Sequence, residues 1–97
     1  MVGCEILLEV FRVVEDRRDN PKPESYVSGL MAKGLNAILE KISEEAGELV
    51  EAAEVKPDSE VVHEAADLLF HMMVLLAYRR IKLEAVFEEL AGRRKPR

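Results

Sequence analysis

The sequence predicts an all-α fold, a bundle of four to five helices. Three observations carry that reading. Apolar residues recur at three- and four-residue spacing along most of the chain. Proline, glycine and capping residues punctuate those runs. No stretch reads convincingly as a strand.

The first helix is expected over Glu5–Arg17, where Ile6, Leu7, Val10, Val13 and Val14 fall at helical spacing between charges. Asp19-Asn20-Pro21-Lys22-Pro23 ends it, because two prolines in three residues cannot continue a helix. Ser25 is placed to cap a short second helix over about Tyr26–Ala32, which Gly29 weakens and Gly34 ends. A long third helix follows over Leu35–Val55, with Ile38, Ile42, Leu49 and Ala53 among its apolar positions.

Pro57-Asp58-Ser59 reads as a turn, with Asp58 or Ser59 capping a fourth helix over about Glu60–Arg79. Leu68, Leu69, Met72, Met73, Leu75 and Leu76 make that helix apolar over most of its circumference. It is therefore expected to be the central, most buried element. A last helix over Leu83–Gly92 carries Val86, Phe87 and Leu90, and residues 93–97 are expected to form a frayed basic tail.

With 97 residues, one stand-alone domain is expected, with a core small enough that dimerisation would help by burying a further apolar face. Apolar residues at 48% and charged residues at 34% describe a globular chain rather than a disordered one. The net charge of −5 argues against nucleic-acid binding, which rests on Lys and Arg meeting phosphates. Cys4 is the only cysteine, so no internal disulfide or zinc knuckle can form, and a cytoplasmic setting fits. The longest apolar run, Ala65–Ala77, is broken by Asp67 and His71 and is too short to cross a bilayer.

The chemistry-bearing residues lie in two short segments, Glu44-Glu45-Ala46-Gly47-Glu48 and Glu64-Ala65-Ala66-Asp67. Residues three or four apart on a helix share a face. Glu48 and Glu64 each lie about eight residues from Lys56–Pro57, so in an antiparallel hairpin both stand about 12 Å from the turn. Four or five carboxylates would then converge between two helices, one of them otherwise strongly apolar. Such a cluster is costly without a cation, because like charges repel and each loses hydration. A hard divalent ion resolves the conflict, and Mg²⁺ suits a few carboxylates, waters and phosphate oxygens best. Glu40, Glu51 and Glu54 read instead as a solvated face.

Glu44-Glu45-x-x-Glu48, fifteen residues, then Glu64-x-x-Asp67 resembles the signature of the MazG-like all-α nucleotide pyrophosphohydrolases. Within them the chain is most similar to the phosphoribosyl-ATP pyrophosphohydrolase family. That likeness rests on Ser25–Gly34, on Lys41–Glu48 and on Glu64–His71, and covers about Ile6–Arg94. Gly47 and Glu51, where small or apolar residues are expected, and Phe70, where tyrosine is common, depart from the pattern without removing a ligand.

The resemblance implies hydrolysis of phosphoribosyl-ATP to phosphoribosyl-AMP and pyrophosphate in histidine biosynthesis, with Mg²⁺, by a homodimer whose helices complete the bundle. It implies Glu45, Glu48, Glu64 and Asp67 as metal ligands, with Glu44 orienting or deprotonating the attacking water or holding a second ion. Acids alone would repel the substrate, so cations must complete the site. Lys33 and Lys41 are the first candidates for the phosphates, then Arg17, Arg79 and Arg80, though each is also an ordinary surface charge. His71, four after Asp67, suits a supporting role or a satisfied core position, and Tyr26 suits base stacking or a structural contact.

Three other functions share parts of this pattern. A house-cleaning pyrophosphatase acting on free nucleoside triphosphates shares the acidic motif. A di-iron bundle would use Glu60-x-x-His63, but His63 stands about 60° off the Glu64/Asp67 face. A non-catalytic helical dimerisation module would need no metal.

Overall fold

In a computed structural model, which describes residues 2–94, the chain forms five helices and no strand among those residues. They are α1 (Glu5–Asp19), α2 (Tyr26–Lys33), α3 (Leu35–Val55), α4 (Asp58–Tyr78) and α5 (Leu83–Gly92). The helix count and the bounds of α3 and α5 are those the sequence predicts, and the others move by one or two residues. The expected frayed tail falls partly outside the described residues. Within them, Arg93 and Arg94 still donate backbone hydrogen bonds to Leu90 O and Ala91 O.

The end of α1 and the start of α2 are stitched together. The Ser25 side chain accepts from Ser28 N at 3.1 Å, the expected N-cap. Ser28 is itself buried, donates from Oγ to Arg17 O at 2.8 Å and accepts from Lys22 N at 3.1 Å. Gly34 ends α2 at φ 96°, a left-handed backbone that glycine takes without a Cβ penalty.

α3 and α4 form the principal hairpin, linked by Lys56 and Pro57 alone. The expected side-chain cap is not there. Pro57 holds the N-cap position, its carbonyl accepts from Glu60 N and Val61 N, and α4 begins two residues earlier than expected. Proline can take that place because its missing N–H would have no helical acceptor there, and Asp58 and Glu60 favour the positive helix end.

At its far end α4 closes with Ile81 N on Leu76 O and Arg80 N on Ala77 O, the paired bonds of a Schellman motif. Arg80 occupies the left-handed position at φ 58°. Arg18 Nη1 also donates to Ala77 O at 2.7 Å, tying α1 to the exposed carbonyls of that terminus.

The core is asymmetric. Phe11, Val14, Val27, Leu30, Ile38, Met73, Val74, Ala77 and Leu83 form it, with the side chains of Ile38, Val14 and Val74 fully enclosed. All its α4 members lie in the second half of that helix. α4 is the central element expected, packed against α1, α2 and α3 and holding the most buried residues, but its burial is one-sided, with Val62 67% and Leu69 48% exposed. The facing end of α3 is also open, with Val50 60% and Val55 75% exposed. The hairpin's turn end thus projects past the core with apolar side chains in solvent. By length and mean hydropathy α4 could cross a membrane, but it packs against α1, α2 and α3. The acids lie where the packed part of the hairpin gives way to the open part.

Candidate metal centre

Glu45 and Glu48 stand on one face of α3, and Glu64 meets them from α4. A carboxylate oxygen from each lies within 4.8 Å of the other two. The two-residue link makes this meeting possible, because it puts equal lengths of helix on either side of the turn. Asp67, one turn further along α4, belongs to a neighbouring group with Glu64 and His63, again within 4.8 Å. Glu64 joins the two groups. The expected convergence is therefore a central trio with Asp67 flanking it.

Burial makes the trio demanding. The Glu45 side chain is only 8% exposed; its Oε1 meets Lys41 Nζ at 3.4 Å, while its Oε2 is buried with no hydrogen-bond partner. Glu64 Oε2 is buried and unpartnered as well. Two orphaned carboxylate oxygens beside a third carboxylate would be a substantial folding penalty if nothing positive lay between them. A divalent cation with oxygen ligands satisfies both, so these residues fit the group the sequence implies.

Lys41 is the cation nearest the trio. Its Nζ also lies 3.7 Å from Glu44, whose side chain is 59% exposed. Burial lowers the Lys41 pKa, but Tyr26, Glu44 and Glu45 together outweigh it and hold the ammonium above its ordinary value. Lys41 thus stays charged at neutral pH beside the acids.

The other expected cations are not gathered here. Lys33 ends α2, exposed and without an ion pair among the described residues. Arg17 pairs with Asp16 at 2.7 Å. Its neighbour Arg18 is fixed to Ala77, about 15 Å along α4 from Asp67, and Arg79 lies about 18 Å from it. Arg80 reaches Asp19 at 3.8 Å.

His71 is buried and both ring nitrogens are engaged, Nδ1 with Asp67 O at 2.8 Å and Nε2 with the Tyr26 hydroxyl at 2.8 Å. A carbonyl only accepts, so Nδ1 carries the proton and the Tyr26 hydroxyl donates to Nε2. Desolvation raises the Tyr26 pKa, with Lys41 opposing and Glu45, Glu44 and Asp67 adding to the rise. His71 is therefore a satisfied buried histidine that also joins Tyr26 to the backbone of Asp67.

One neighbour of the acids stands closer than the sequence reading placed it. His63 Nε2 lies 3.4 Å from Asp67 Oδ2, closer than the expected 60° offset suggested. That offset averages about 100° from Glu64, one residue on, with about 40° from Asp67, four residues on, so His63 and Asp67 overlie one another. Away from the acids, Arg18 holds the far end of α4, and nothing in Arg17-Arg18 says which arginine turns inward.

The phosphoribosyl-ATP pyrophosphohydrolase family profile matches residues 7–94. Among curated relatives, the phosphoribosyl-ATP pyrophosphatase of Methanocella arvoryzae is 47% identical over 95% of this chain and 99% of its own length. That of Methanobrevibacter smithii is 45% identical over 97% of this chain and 99% of its own. The histidine biosynthesis bifunctional protein HisIE of Synechocystis is 44% identical, with 95% of this chain aligned to 43% of that longer protein.

Fold and acidic centre together define an all-α protein of the nucleotide pyrophosphohydrolase kind. The chain belongs to the phosphoribosyl-ATP pyrophosphohydrolase family.

Proposed function

We propose that this chain hydrolyses phosphoribosyl-ATP to phosphoribosyl-AMP and pyrophosphate, with Mg²⁺, as the second step of histidine biosynthesis in the cytoplasm. The observation that carries the reading is the buried, unpartnered oxygen pair of Glu45 and Glu64 beside Glu48, in a chain of this family.

Glu45, Glu48 and Glu64 would hold the cation, with Asp67 completing the set from the next turn of α4. Bound there, Mg²⁺ supplies positive charge to the phosphate oxygens as the leaving pyrophosphate gains negative charge. Glu44 adjoins Glu45 with its carboxylate largely in solvent, where it can orient a water and take its proton. Lys41 offsets part of the acidic charge and offers a donor to a phosphate oxygen. Lys33 is the next candidate for a phosphate contact, and Arg17 and Arg79 are given no part within one chain because they lie at the other end of α4.

The working unit is proposed to be a homodimer. The exposed Val50, Val55, Val62, Leu69 and Met72 on the α3–α4 hairpin form apolar surface that a second copy would cover.

Pyrophosphate release from phosphoribosyl-ATP, with and without Mg²⁺, tests the reading. Release that requires Mg²⁺ is expected. No release, or faster turnover of free deoxynucleoside triphosphates under the same conditions, would overturn it.

A further inference from the structure

Tyr26 is both exposed and anchored. A tyrosine in a purely structural contact commonly buries its ring and leaves its hydroxyl wet. Here the hydroxyl is tied to the buried His71, yet the residue is 53% exposed. The ring is also fixed in place. It follows the Ser25 N-cap at the first position of α2 and meets the His71 ring edge-on at 5.7 Å and 87°. His71 is held in turn by the Asp67 carbonyl and by Phe70, edge-on at 5.5 Å. The charges of Lys41, Glu44, Glu45 and Asp67 all act on its phenol, so Tyr26 stands at the border of the acidic centre.

We infer that Tyr26 is a preset stacking platform for the purine base of the substrate, with His71 as the positioning residue that fixes its angle. This deepens the proposed function and rests on it. A base is a flat π-surface a few bonds from the phosphates, and an immobilised aromatic ring beside the phosphate site can receive it without a further ordering cost. Base–aromatic stacking of about 1–3 kcal/mol corresponds to a roughly 5- to 150-fold effect on binding. Because the ring makes this contact in the ground state as well as during reaction, the effect belongs in KM rather than in kcat.

The test compares wild type, Tyr26→Phe and Tyr26→Leu on phosphoribosyl-ATP at saturating Mg²⁺. The Leu variant is expected to raise KM about tenfold or more with kcat within about threefold; the Phe variant keeps the ring but loses the His71 link, so its KM is expected to rise about three- to fivefold, between wild type and Leu, with kcat within about threefold. A KM unchanged in a folded Leu variant, a loss confined to kcat, a Phe variant as impaired as Leu, or a Phe variant with the wild-type KM would overturn the inference. Tyrosine fluorescence gives an independent readout, because the chain has two tyrosines and no tryptophan. In a Tyr78→Phe background, AMP is expected to quench the Tyr26 emission saturably. Absence of quenching at saturating AMP would overturn the inference even if the Leu variant failed to fold. An inactive wild type would instead sink the proposed function, while an active wild type with an indifferent Tyr26→Leu would sink the platform alone.

Discussion

Glu45 sits on α3 with one carboxylate oxygen paired to Lys41 and the other buried without a partner. Removing its charge relieves repulsion within the trio while deleting a proposed ligand. Glu45→Gln is therefore expected to melt at or above the wild-type temperature without metal, to lose the Mg²⁺-dependent rise in Tm, and to lower kcat about 100-fold or more. Differential scanning fluorimetry with and without Mg²⁺ checks the first two, and a clear loss of metal-free stability would contradict the account. Ser28 is the opposite case, a purely structural residue with three hydrogen bonds at the α1–α2 junction. Its own backbone N–H makes one of them, so Ser28→Ala loses the two Oγ bonds and is expected to cost about 1–3 kcal/mol in chemical denaturation with kcat preserved. The acids were legible in the sequence because helical periodicity and distance from a turn fix their level. The partners of Ser28 were not, since they depend on how two helices separated by a proline loop come together.

At the scale of the element, the two ends of α4 make contrasting demands. Its C-terminus is held by Arg18, whose guanidinium spans from Asp19 to the Ala77 carbonyl. Asp19 raises the Arg18 pKa chiefly through their hydrogen bond, so the guanidinium is charged at every working pH. Arg18→Ala is expected to lower stability by about 1.5–3 kcal/mol, the range for a hydrogen bond to a charged group. Thermal unfolding reads that as a fall of roughly 4–8 °C per kcal/mol for a domain of this size. Arg80, in the left-handed position that glycine prefers, gives the reverse prediction. Arg80→Gly is expected to raise Tm by a few degrees with activity unchanged, because relief of a strain of about 1 kcal/mol outweighs a 3.8 Å surface ion pair. The helix bounds were readable from proline, glycine and apolar spacing. The extent of burial along α4 was not, because a periodic pattern shows which face is apolar but not what covers it.

At the scale of the molecule, the packed half of the bundle and the open half of the hairpin have different needs. The core around Ile38, Val14 and Val74 is enclosed within one chain, whereas Val50, Val55 and Val62 at the turn end are exposed, where the proposed dimer would cover them. Sedimentation velocity is expected to show a dimer, and Val62→Glu with Leu69→Glu to shift it to monomer while the helical circular dichroism is retained. A wild-type monomer at assay concentrations would contradict that assembly. The all-α class and the hairpin were legible in the sequence, and so was the general place of the site. The Tyr26–His71 link across 45 positions and the meeting of Arg18 with the Ala77 carbonyl emerge only from packing. The account's central claim is that a divalent cation reconciles these converging acids with their burial. Anomalous scattering from crystals soaked in Mn²⁺ tests it most directly: a peak within ligand distance of Glu45, Glu48 and Glu64 is the predicted result, and the same carboxylates turned apart with no peak between them would contradict it.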